Sequence, residues 1–306
     1  MLKGMMLGTM LITGAAQAQT AEQREAIIAD DPVAAPQVLA IRSVHVPKGP
    51  ARDLFNGRDL SGWEAWLGYA DTSLTFKPRT TEPLGTTVDA SEIFRVVTVD
   101  GGPAIRAGGR YWGSLALIEP LADYHLSLEY KYGGLEPGQA RNNGIVYFSH
   151  GHAGGVFGTW MSGIEFQLEH GSNGMAIPMG SAMRTRTTIG QDRNVRYPFR
   201  VFRLGGKAID LANGNPAYSV EAGSQAEKPL GEWNRIDLYV VGNRAMHVVN
   251  GVPVMLLDDI SEIDVAGKRV PMTRGRIQLQ AEGAETFFRT IRVEPISRLP
   301  EVGVAD

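Results

Sequence analysis

From residue 51 onward the chain alternates. Tyr124, Leu126, Leu128, Tyr130 and Tyr132 are separated one by one by His125, Ser127, Glu129 and Lys131. A period of two sends successive side chains to opposite faces, so such a stretch buries a single apolar face only as a β-strand. Ile236, Leu238 and Val240 repeat the pattern against Arg235, Asp237 and Tyr239, and Gly242-Asn243 and Asn250-Gly251 follow where hairpin turns belong. No long stretch carries a 3.6-residue helical period, and 37 glycines punctuate the chain. The pattern predicts an all-β antiparallel sandwich.

A chain of 306 residues has room for one large sandwich or two smaller domains. Its net charge of -3, with 21% charged residues well mixed, provides no basic field for nucleic acid and suits neutral, hydroxyl-rich partners. There is no cysteine, which excludes thiolate chemistry, cysteine-held metal and lipid attachment at a cysteine. Lys3, the apolar run from Met5 to Ile12 and Ala16-Gln17-Ala18 compose a cleavable signal peptide over residues 1–18, so a periplasmic or secreted protein is expected. That run is shorter than the about 20 residues a spanning helix needs, and no membrane span is expected in the mature protein. Residues 19–50 read as a leader contributing one strand at 38–46, residues 298–306 as a tail, and 171–229 as a long arginine-bearing excursion with a hairpin near 197–204.

Leu54-Phe55-Asn56-Gly57-Arg58-Asp59-Leu60-Ser61-Gly62-Trp63 and the segment from Gly275 to Val293 resemble the opening and closing strands of the 3-keto-disaccharide hydrolase, or 3-ketoglycoside lyase/hydratase, family. Between them Asn142-Asn143-Gly144-Ile145, Gly163-Ile164-Glu165-Phe166-Gln167 and Gly231-Glu232-Trp233-Asn234 occur in the family's order. The resemblance implies a concanavalin A-like jelly roll over residues 51–297 and a carbohydrate substrate. Asn56-Gly57 itself favours a tight turn and reads as architecture.

Alternation places Ile164, Phe166 and Leu168 on one face and Glu165, Gln167 and Glu169 on the other, where the polar row supplies an acid/base candidate, a second charge and an amide for sugar hydroxyls. Gln278, Gln280 and Glu282 share a face of the terminal strand if it stays regular up to Gly283. The resemblance makes Glu165 and Gln167 functional rather than merely solvated, places Glu282 where the family carries His-Gly or Glu-Gly, and marks Asn143 as a sugar ligand. Arg289 matches the family's Arg-Asn-Ile, with Thr290 in place of Asn; an ion pair with Glu282 or Glu285 is the competing role for Arg289. Trp160 is a candidate for stacking on a pyranose or for the core. His150 and His152, spaced two apart, offer weak ligands for a divalent metal with Glu165 or Glu169, or are plain loop residues.

The resemblance implies cleavage of glycosides already oxidised at C3: a base removes the C2 proton, the C1 aglycone leaves by β-elimination, and water adds to the enone. On this reading Glu165 is the base, Glu282 or His170 the acid, and Arg289 or a bound divalent cation stabilises the enolate. The alternative is a non-catalytic, lectin-like carbohydrate-binding or scaffold domain, because jelly rolls host both.

Overall fold

The computed structural model describes residues 34–190, 199–212 and 217–305. The expected signal peptide, the first part of the leader and residues 197 and 198 of the expected hairpin lie outside them.

Burial along Tyr124–Leu135 alternates residue by residue through Tyr132, as the sequence pattern requires. Leu126 and Leu128 are fully buried, each contributing about 1.5–3 kcal/mol of transfer free energy. The strand Asn234–Val241 pairs with it on one side and Ala284–Pro295 on the other. Val249 pairs with Val252 across Asn250-Gly251, whose φ values of 48° and 84° are those a primed two-residue turn demands.

Two antiparallel sheets result, one of six strands and one of twelve, flanked by a two-stranded pair. The six-stranded sheet runs Ala176–Met179, Ser162–Gln167, Gly144–His150, Arg276–Ala281, Gly113–Leu117 and Trp63–Leu67. Its Ile145, Ile164, Phe166 and Leu279 meet Leu126, Leu128, Leu238 and Phe288 of the larger sheet in one hydrophobic core. This is the concanavalin A-like jelly roll expected from sequence. Two 3₁₀ turns, Thr72–Leu74 and Ala90–Glu92, are the helical elements among the described residues, and no helix there is long and apolar enough to cross a membrane.

Two segments differ from expectation. The 171–229 excursion is largely sheet: Ser181–Ile189 is a strand with Arg200–Phe202 and Lys207–Ala212 set end to end along its one side. Its arginines interrupted the apolar alternation because this strand exposes one face, where Arg184 pairs with Asp210 and Asp259. The tail contains a strand, Glu301–Val304, which pairs with Leu39–Ser43 of the leader. Both strands are short and only partly buried, so neither carries a strong sequence signal.

Candidate active site

The core-facing side chains of the six-stranded sheet dictate what its other face presents. With Ile164 and Phe166 buried inward, Glu165 and Gln167 point outward, and Val146 and Gln278 stand beside Glu165 in the same cross-strand row. One step on, Gly144 pairs with Gln167. Because Gly144 has no side chain, groups from both flanking strands converge over it: a Cβ there would lie within 2.5 Å of both Gln280 Oε1 and Glu165 Oε1. Glu282 joins from just beyond the end of its strand, where Gly283 at φ 90° turns the chain.

Asn143 sets that turn. Its Oδ1 accepts the Glu282 N–H at 2.7 Å, and its Nδ2 donates to Ala284 O at 2.9 Å and to Thr286 Oγ1. The Gln167 amide, oriented to satisfy its neighbours, donates to Glu165 Oε1 at 2.8 Å and Asn143 O at 2.9 Å. Gln280 is fully buried, and neither its amide oxygen nor its nitrogen has an aligned hydrogen bond within the protein. Asn142, Glu169 and Tyr218 form a more exposed rim.

Burial dominates the electrostatics. It pushes the Glu165 carboxyl well above the usual range, and the charge of Glu282 pushes it further, while the nearby Gln280 amide offsets part of the effect. Glu282 is pushed up to about 8 by burial first and by Glu169 second. Two carboxyl groups so placed do not ionise together near neutrality: one proton belongs to the pair. Burial raises both carboxyls, so the proton is a property of the pair. Enclosure of the Tyr218 hydroxyl, followed by the fields of Glu165 and Glu282, raises that phenol, although 42% of the residue is exposed on its other side. Tyr218 is therefore a neutral hydrogen-bond donor at the rim.

Of the residues singled out from sequence, Glu165, Gln167, Glu169, Gln280 and Glu282 come together. Six others do not join them as ligands. Trp160 is core: its indole donates to Gly113 O and packs with Trp112 and Phe76, so no face is free for a sugar ring. Asn143 is fully buried and spends its amide on backbone and Thr286, which makes it a brace rather than a sugar ligand. Arg289 lies on the larger sheet, where it pairs with Glu129 at 2.8 Å and sits 3.8 Å over the Trp233 ring; neither Glu282 nor Glu285 is its partner. His170 is exposed and bonded to Glu227, in the turn that follows the strand Ser162–Gln167. His150 binds Phe148 O and faces Glu262 at 3.9 Å, and with His152 and Glu165 it forms no three-ligand group. Among the described residues such a group occurs at His45, His125 and Glu294 instead. Sequence reasoning missed Gly144, which carries no side chain to single out, and Tyr218, which stands in a stretch without periodicity.

Solved structures of similar shape include a "putative glycosyl hydrolase" of Parabacteroides distasonis (TM-score 0.46, 16% identity, covering 80% of this chain and 98% of that one). A carbohydrate binding module of Bacillus subtilis gives a TM-score of 0.38 at 10% identity, with 78% and 97% covered. A Bacillus licheniformis β-glucanase gives 0.39 at 11%, with 82% and 100% covered. No curated protein matches the chain. Residues 50–294 match the 3-keto-alpha-glucoside-1,2-lyase-like domain, and the chain belongs to that family.

Proposed function

We propose that this protein cleaves glycosides carrying a ketone at C3, by elimination across C1 and C2 followed by hydration. The observation that carries the reading is the buried Glu165–Glu282 pair sharing one proton beside the unpartnered Gln280 amide. A ketone at C3 acidifies the C2 proton, and a desolvated carboxylate is a strong enough base to take it. We assign the pair's proton to Glu165, which exchanges the roles expected from sequence. Glu282 then takes the C2 proton. Glu165, which holds the shared proton, gives it to the departing C1 oxygen as that bond breaks.

The electrons released at C2 reach the C3 oxygen as an enolate, and the Gln280 N–H₂ and Tyr218 hydroxyl are the neutral donors placed to receive it. Water then adds to the enone: its hydroxyl goes to C1, its proton to Glu165, and Glu282, whose proton has exchanged with solvent while the enone is held, delivers a solvent-derived proton to C2. Both carboxyl groups are restored and the net reaction is hydrolysis. An exported setting would place this step outside the cytoplasm.

The test is incubation of the purified chain in deuterium oxide with a 3-keto-disaccharide and, separately, with its unoxidised parent. Cleavage of the first alone, with enzyme-dependent deuterium at C2, is the expected result. Equal cleavage of the parent would indicate an ordinary glycosidase, and binding without cleavage a lectin. Glu282→Gln should lower turnover by about 10² to 10⁴ on every substrate. Glu165→Gln should do so with alkoxide leaving groups and far less with an activated aryl aglycone, which departs without a proton.

A further inference from the structure

On the outer face of the larger sheet, remote in the fold from the carboxylate pair, His45, His125 and Glu294 each direct one ligand atom into a space where all three lie within 4.8 Å of one another. Local structure explains why they meet. His125 and Glu294 are direct cross-strand partners on Tyr124–Leu135 and Ala284–Pro295, and both alternate away from the core. His45 arrives from the leader, which is held here by Lys48 N–H to Pro295 O and Ser297 N–H to Val46 O.

His125 Nε2 lies 2.8 Å from Asp237 Oδ1, and Asp237 also accepts from Arg235 at 2.9 and 2.7 Å. With Nε2 turned to that carboxylate, Nδ1 is the nitrogen left to face Glu294 Oε2, at 4.0 Å. His45 Nε2 stands 2.5 Å from the same oxygen. The first spacing is near the roughly 3.3 Å between ligands around a tetrahedral ion with bonds of about 2.0 Å, whereas the second is a hydrogen bond that a bound ion would replace. Tyr239 stacks on His125 at 4.2 Å and fixes the ring plane. A carboxylate on the distal nitrogen and a locked ring are the usual supports of a metal-bound histidine.

We propose that His45, His125 and Glu294 bind a divalent transition metal of the zinc class, with Asp237 orienting His125. Two imidazole nitrogens and one carboxylate oxygen match that class and match calcium or magnesium poorly. Side-chain exposures of 19%, 11% and 24% leave a solvent-facing position for a fourth ligand. The ion would tie the leader to the jelly roll, which makes the site structural.

The charged groups around it are Asp237 with Arg235, and Asp123 with Lys48. The experiment uses the full chain stripped with chelator and then titrated with zinc, or with cobalt for its visible absorption. One zinc per chain, a rise in Tm of several degrees, and a tetrahedral cobalt spectrum are expected. His45→Asn, on the leader and outside the core, should fold normally yet lower zinc affinity at least tenfold, and Glu294→Gln should do the same. No zinc uptake by the wild-type chain, or uptake unchanged in both variants, would overturn the site. A Tm that falls equally in the variants with and without zinc would show a purely hydrogen-bonded clamp and would also overturn it.

Discussion

Thr290 adopts φ 53°, a left-handed conformation that a β-branched side chain occupies at a cost of about 1–3 kcal/mol. It falls in a bulge, where the pairing of Ala284–Pro295 with Tyr124–Leu135 shifts register between Arg289 and Arg292. The resembling family carries Asn at this position, and Asn tolerates the left-handed region, so Thr290→Asn should stabilise the protein by about 1 kcal/mol, read as a higher urea midpoint at unchanged slope. A lower midpoint would show that the Thr290 hydroxyl bond to Glu129 outweighs the strain. Gly144 makes the opposite case. Gly144→Ala should leave the fold intact while separating Glu165 from Gln280, with turnover reduced at least tenfold; full activity would detach that convergence from the chemistry. The site was legible in sequence where alternation alone decides direction, as at Glu165, Gln167 and Gln280. It was not legible where a side chain's partners lie across the fold. An Asn-Asn-Gly cluster suits a turn or a sugar ligand, and the bonds of Asn143 to Thr286 and the Glu282 amide make it a brace instead.

At the scale of strands, the same distinction holds. Tyr124–Leu135 and Asn234–Val241 announce themselves because one face is wholly apolar, and the turns at Gly242 and Asn250-Gly251 follow from glycine and asparagine chemistry. Ser181–Ile189 does not, since Arg184 and Arg186 occupy its exposed face beside threonines that read as loop. The ion pairs of Arg184 with Asp210 and Asp259 are solvent-exposed and contribute no more than about 1 kcal/mol. Arg184→Ala should therefore leave turnover on a 3-keto-disaccharide unchanged and shift stability by less than that amount. A substantial loss of activity at full stability would make this strand part of the substrate surface.

For the whole molecule, the raised carboxyl at Glu282 ties stability to pH. The unfolded chain releases this proton near 4.5 and the folded chain near 8, so between those values the folded state binds more protons and stability falls as pH rises. The steepest slope from this one group is about 1.4 kcal/mol per pH unit. Denaturation from pH 5 to 8 should show a decline that is smaller in Glu282→Gln; identical slopes would place the Glu282 proton elsewhere. The pairing of Leu39–Ser43 with Glu301–Val304 bears on a different process, the order in which the chain takes shape. Arg42 and Val304, in contact here, are 262 residues apart in sequence. During translation the earlier strand emerges with no mate and must wait, unpaired, while every strand of both sheets is made. Closing so long a loop is slow unless the intervening jelly roll has already drawn its ends together. The two-stranded clasp is thus expected to close late, and pulse-labelled hydrogen exchange should protect the amides of Leu39–Ser43 and Glu301–Val304 after those of the two sheets; protection in step with the sheets would refute this order.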